Sequence, residues 1–232
     1  KLKEQDQIRK RLVSDISHEI RTPLNILQNN LEAMIDGIFP VDSEHLSYLN
    51  EEVIRFGKLL NNLNVLKQFE DEKLYLNKKV VLLDKLILDV SNKFLVDFKG
   101  KNIVFELNIE KNGNFQIQGD TDKLTQVFIN LLNNALKFTP QGGKIYIDLC
   151  TNKNKIVVSI ADNGIGIKKE DLPYIFERLY RGDKSRNSTE GSGIGLTIVK
   201  KILTLHHADI EVKSKVGWGT LFTLYFNGIG ED

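Results

Sequence analysis

The sequence predicts an all-α helical hairpin, paired with a second copy as a dimeric four-helix bundle, followed by an α/β sandwich. Two observations predict it. Apolar residues recur at steps of three and four from Leu12 to Leu63, the helical period. From Val80 onward, strand-like runs with period two alternate with runs of helical period.

The first helix carries Leu12, Ile16, Ile20, Leu24, Leu27, Leu31, Met34 and Ile38 on one stripe, and Gly37 with Pro40 breaks it. Asp42 or Ser43 caps a second helix, with Glu44 and His45 just inside it. That helix places Leu46, Leu49, Val53, Phe56, Leu60 and Leu63 on a narrow seam that demands burial against other helices. One hairpin cannot bury both stripes, so a homodimer through the hairpin is expected. The alternative is a hairpin packed on its own C-terminal unit. The hairpin is assigned to residues 1–70, a linker to 71–79 where the seam gives way to charge, and the sandwich to 80–228.

Within the sandwich, Val80–Leu83, Ile103–Leu107, Ile145–Cys150, Ile156–Ala161, Ile210–Ser214 and Leu221–Phe226 read as strands. Leu86–Phe98, Leu124–Lys137 and Ile194–Leu205 read as helices, the middle one capped by Asp120 or Thr121. Short turns at Asn152–Asn154 and Val216–Gly219 suggest hairpins within a mixed sheet covered on one face by helices.

Composition is that of a folded protein: 232 residues, 41% hydrophobic and 27% charged. A net charge of +1 offers no basic field for nucleic acid. Cys150 is the single cysteine, so no internal disulfide forms and a reducing compartment is expected. No run of about 18 apolar residues occurs, so no membrane contact is expected of this stretch itself. The chain begins at Lys1 inside a charged helical pattern and reads as a fragment.

The octet Ser17-His18-Glu19-Ile20-Arg21-Thr22-Pro23-Leu24 gathers an imidazole, a carboxylate and a hydroxyl within about one turn. Ile16 and Ile20 lie on the buried stripe, which turns His18 toward water. An imidazole with a pKa of about 6.5 is mostly neutral and nucleophilic at neutral pH. Glu19 is placed to orient the ring or take its proton. Thr22 shares the face of His18. Pro23 clashes with the carbonyl of Glu19 and bends the helix below the histidine. His45, His206 and His207 have no such surroundings and read as inert surface residues.

Four later segments suit a nucleotide. Asn130 and Asn134 stand four residues apart on one helix face, where two amide oxygens suit a hard cation such as Mg2+, and Lys137 adds positive charge. A merely polar helix face fits the same residues. In Asp162-Asn163-Gly164-Ile165-Gly166, a carboxylate leaving a buried strand offers an acceptor for the exocyclic amine of adenine, beside glycines that allow close backbone approach. In Gly191-Ser192-Gly193-Ile194-Gly195-Leu196, glycines open a helix whose N-terminus favours anions. Between these, Phe176 to Glu190 reads as a lid, with Arg178 and Arg181 reaching phosphates; an ordinary disordered loop has the same composition.

The octet resembles the phosphoacceptor box of the sensor histidine kinases of two-component systems. The four later segments, in this order and spacing, resemble that family's ATP-binding domain. Its ATPase class is shared with DNA gyrase, the Hsp90 chaperones and the MutL repair proteins. Gly217-Trp218-Gly219-Thr220 matches the family's last turn, which adds Thr220 to the site. Phe138 stands where tyrosine is commoner and still packs on the base. The resemblance implies ATP and Mg2+ as cofactors, with Asn130 and Asn134 on the metal, Lys137 and Arg181 on phosphate, and Asp162 on adenine. It implies autophosphorylation of His18 assisted by Glu19, then transfer to an aspartate of a response regulator receiver domain. It also implies a phosphatase activity in which Thr22 positions water, and a cytoplasmic location as part of a membrane-anchored sensor. Two other readings remain: a gyrase-type ATPase that opens and closes a dimer, and a catalytically degenerate dimeric nucleotide-binding scaffold.

Overall fold

The computed structural model describes residues 20–70, 76–152, 155–177, 180 and 194–229. A helix α1 covers 20–35, and α2 runs Ser43–Glu70. Asp42, rather than Ser43, caps α2: its Oδ1 accepts the His45 N–H at 2.9 Å. The His45 ring nitrogen Nδ1 lies 2.8 Å from the same oxygen. These bonds hold the Asp42 carboxyl below its usual range. The bend expected at Pro23 turns on the Glu19 carbonyl, outside the described residues.

Helix α2 lies against the sandwich, and Ile20 and Phe56 pack partly on its core. Met34 and Leu49 are buried, but Leu24, Leu31, Leu46 and Val53 remain about half exposed. Packing within the chain therefore covers only part of the two stripes.

The sandwich begins with β1 (Lys79–Leu82) and α3 (Leu83–Gly100). Then come β2 (Val104–Ile109), β3 (Gln116–Gly119) and α4 (Thr121–Phe138). Strands β4 (Lys144–Asn152) and β5 (Lys155–Asp162) follow. The last elements are α5 (Gly195–Leu205), β6 (Asp209–Lys215) and β7 (Gly219–Asn227). Five strands form one sheet in the order β2-β4-β5-β7-β6; β2 and β4 are parallel, the other neighbours antiparallel. The pairing of β1 with β3 in a separate antiparallel ribbon was not foreseen from the sequence.

Strand alternation sends Ile145, Ile147, Leu149, Val158, Ile160, Phe222, Leu224 and Phe226 to one face, where all are buried. The apolar faces of α3, α4 and α5 cover it: Leu83, Ile87 and Phe98; Leu124, Phe128 and Leu131; Ile198, Ile202 and Leu203. This is the expected sheet with helices on one side. Asp120 caps α4, its Oδ1 accepting from Asp122 N and Lys123 N, each at 3.1 Å.

His206 is buried, which corrects its reading as a surface residue. Its Nε2 accepts the Asp120 N–H at 2.9 Å, and Nδ1–H donates to the Ile202 carbonyl at 2.8 Å. Asp120 Oδ2 meanwhile accepts the Asn77 N–H at 3.1 Å, where the chain enters the sandwich. Burial and nearby Lys78 and His207 push the imidazole pKa down, against the Ile202 carbonyl and Asp120. The end of α5 is thus tied to the start of α4. At the other end of the pair, Gly195 opens α5 beside Asn130. The two helices run antiparallel.

Candidate nucleotide site

The site is built from the middle and the C-terminal end of α4, the start of α5 and the adjoining ends of β5, β6 and β7. Asp162 closes β5, opposite Thr220 of β7. Its Oδ1 accepts the Gly164 N–H at 2.8 Å, the Thr220 N–H also approaches the carboxylate, and Oδ2 keeps lone pairs for a donor from outside. Burial raises the Asp162 pKa, partly offset by the backbone N–H groups of Gly164 and Thr220. A half-buried carboxylate with one open oxygen suits an amine donor.

Glycine is required where the backbone approaches most closely. A Cβ at Gly164 would collide with the Phe138 carbonyl oxygen at the end of α4. Gly166 has φ +70, and a Cβ there would strike the Lys215 carbonyl. The loop after Asp162 is therefore pressed between α4 and β6. The Ile165 N–H donates to the Phe138 carbonyl at 3.1 Å.

Thr220 is buried in a hydroxyl cluster with Ser214, whose Oγ lies 2.9 Å from Thr220 Oγ1. Ser214 donates to the Gly219 carbonyl at 2.7 Å and accepts the Ile167 N–H at 2.8 Å. Sequence reasoning missed Ser214. Its signal was a polar residue at an inward position of β6, in step with Ile210 and Val212.

At the other side of the site, Asn130 Nδ2 donates to the Gly195 carbonyl at 3.4 Å. Its Oδ1 is left as an acceptor. Ile194 at the N-cap of α5 gives no side-chain cap bond, and Leu196 lies in the first turn, whose N–H groups carry the positive end of the helix dipole. Thr197 Oγ1, on the same turn, is buried without a hydrogen-bond partner. Asn134 is half-buried one turn beyond Asn130. Lys137 holds its ammonium 5.1 Å from the Phe138 ring centroid, seven residues or about 10 Å along α4 from Asn130.

The structure thus brings Asp162, Gly164, Gly166, Phe138 and Thr220 to one end, and Asn130, Gly195 and Leu196 to the other. Thr22 is exposed on α1. His18, Glu19, Arg178, Arg181, Gly191 and Gly193 lie outside the described residues. A shallow depression of about 340 Å3 adjoins the base end, lined by Lys213, Lys215, Trp218 and Leu221 together with Asp162 and Thr220.

Two family models match the chain. Residues 8–72 match the His Kinase A (phospho-acceptor) domain, and residues 119–228 match the histidine kinase-, DNA gyrase B- and HSP90-like ATPase. The phosphate regulon sensor protein PhoR of Pseudomonas aeruginosa is 35% identical, over 95% of this chain and 50% of its own length. The sensor histidine kinase WalK of Bacillus subtilis is 32% identical, over 98% of this chain and 38% of its own. The chain therefore spans half or less of these relatives. The solved Acinetobacter baumannii histidine kinase AdeS superposes with a TM-score of 0.77 at 25% identity, over 92% of this chain and 98% of that one. The mycobacterial sensor histidine kinase MprB gives 0.56 at 27% identity, over 65% of this chain and 97% of that one. Both portions point to one family, and the chain belongs to the sensor histidine kinases, carrying their phospho-acceptor and ATPase regions.

Proposed function

We propose that the chain is an ATP-dependent protein-histidine kinase core that phosphorylates His18. The carrying observation is the paired geometry of the site. A half-buried carboxylate with one open oxygen stands at one end of α4, and the uncapped N-terminus of α5 stands beside Asn130 toward the other. An adenine amine fits the first and a triphosphate the second. Gly164, Gly166 and Thr220 line the base end, with Phe138 packed on the ring. Arg178, Arg181, Lys137 and the amides of the glycine run at Gly191, Gly193 and Gly195 serve the phosphates.

A ring nitrogen of His18 attacks the γ-phosphorus in line. The bond from that phosphorus to the β–γ bridging oxygen breaks, ADP leaves, and Glu19 takes the proton released from the ring. The donor set at Asn130 and Asn134 fits Mg2+, which takes neutral oxygens alongside phosphate. No group of three His, Cys, Asp or Glu able to hold a metal occurs among the described residues. When bound, it neutralises phosphate charge.

The phosphoryl group then passes to an aspartate on the receiver domain of a response regulator. Thr22, exposed on α1, positions water for the reverse, phosphatase reaction. Two copies pair through the apolar stripes that α1 and α2 leave uncovered. The hairpin is assigned to 1–70, the linker to 71–79 and the ATP-binding domain to 80–228. No described helix is long and apolar enough to cross a membrane. The chain is the cytoplasmic part of a membrane-anchored sensor.

The test is incubation with [γ-32P]ATP. Acid-labile, base-stable label is expected on the chain and is lost in His18→Gln, which still binds ATP. Label retained in His18→Gln refutes the acceptor assignment. ATP binding without any label in the unaltered chain favours the scaffold reading.

A further inference from the structure

We propose that Lys101 is a positioning residue for adenine recognition, holding the Asp162 loop in register from behind; the proposal rests on the nucleotide reading above. Lys101 follows α3 directly and meets the site only through backbone carbonyls of α4. Its Nζ donates to the Leu136 carbonyl at 2.7 Å and reaches the Lys137 carbonyl at 3.3 Å. Its own carbonyl accepts the Gly142 N–H at 3.1 Å.

The last four carbonyls of a helix have no partner within it and carry the negative end of its dipole. In α4 all four are accounted for. Ala135 accepts from Thr139 N, Leu136 and Lys137 accept from the Lys101 ammonium, and Phe138 accepts from Ile165 N. One side chain therefore holds the two carbonyls just before the one that grips the adenine loop.

The second grip comes from the turn after α4. Lys144 donates its N–H to Asn163 Oδ1 at 2.7 Å and accepts the Asn163 N–H at 3.2 Å. Lys101 anchors that turn through Gly142. Asn163, Gly164 and Ile165 are thus clamped between two jaws, the α4 terminus and the 140–144 turn, and Lys101 is bonded to both. The Gly164 N–H in turn orients the Asp162 carboxylate. Without the ammonium, two partly buried carbonyls lose their donor and the final turn of α4 frays. The α4 N-terminus keeps its own Asp120 cap.

The effect is read at the base end, through discrimination between adenine and guanine. That separates positioning from general stability. Lys101→Met keeps the stem and removes the ammonium. In isothermal titration of the full chain, it is expected to weaken ATP and ADP by the same factor, about tenfold, as expected for loss of one charge-assisted bond. The preference for ATP over GTP falls with it, and Lys101→Arg restores both. Unchanged ATP affinity in Lys101→Met, or a loss that spares the ATP-to-GTP ratio, overturns the proposal while leaving nucleotide binding intact. Failure of the unaltered chain to bind ATP overturns the nucleotide reading itself, and the proposal with it. Should Lys101→Met not fold, Lys101→Gln, whose shorter neutral amide replaces the ammonium, takes its place with a smaller loss expected in the same two readouts, and unchanged values again overturn the proposal.

Discussion

Replacing Asp162 by asparagine tests the base end of the site directly. In the structure one carboxylate oxygen is already committed to the Gly164 N–H at 2.8 Å. On the proposed reading, the other meets the adenine amine. Asparagine has a single oxygen, so it serves one donor only. If that oxygen stays on Gly164, the side-chain NH2 faces the adenine NH2, donor against donor. If it turns to the ligand, Gly164 loses its acceptor. Either way one hydrogen bond to a charged group is lost, worth about 1.5–3 kcal/mol, or roughly 10- to 150-fold in Kd. The NH2 turned outward suits the carbonyl of guanine, so the ATP-to-GTP ratio should narrow.

The fold should not suffer from this change. Burial raises the native pKa of Asp162 above that of the unfolded chain. The folded state therefore holds the proton more tightly, and this group favours folding more as pH falls through its raised pKa. At neutral pH its charge opposes folding, and a neutral asparagine removes that opposition. Calorimetric titration with ATP and GTP, alongside urea unfolding, reads both quantities. An ATP affinity within twofold of the unaltered chain, with GTP unchanged, would refute the assigned role.

Two further outcomes are expected. The buried neutral His206 has a native pKa below its unfolded value of about 6.5, so its stabilising effect is present above that pH and is lost as pH falls below it, with a slope of at most about 1.4 kcal/mol per unit. Urea midpoints measured from neutral to mildly acidic pH should show this slope, and His206→Gln should flatten it; an identical slope in the variant assigns the effect elsewhere. Leu31, 49% exposed on α1, contributes to the uncovered stripe. Leu31→Glu removes about 0.7–1.5 kcal/mol of interface burial per copy, half of a full leucine's worth, and adds like charges across the interface, so light scattering at micromolar concentration should report a monomer. A persistent dimer would place the interface on another surface.

Much of this was legible because local pattern and tertiary role coincide. Leu124, Phe128 and Leu131 announce the buried face of α4, and Asp120 its cap. Period-two alternation marks β4, β5 and β7. The ribbon strand β3 was not legible: Gln116-Ile117-Gln118-Gly119 holds a single apolar residue, and its pairing with β1 is non-local. His206 was misread although Ile198, Ile202 and His206 are spaced by four, which placed it on the buried stripe of α5. The approach of Gly195 to Asn130 is a product of antiparallel helix packing that no local pattern encodes.

The strand order has a consequence for biosynthesis. Strand β7, the last described strand, lies between β5 and β6 rather than at a rim. Until residues 219–227 leave the ribosome, β5 and β6 each present an open row of amides and carbonyls, and Asp162 has no opposite partner. A message cut short ahead of Gly219 therefore yields no smaller working enzyme, only a nucleotide-blind polypeptide with two sticky margins, a substrate for chaperones and proteases.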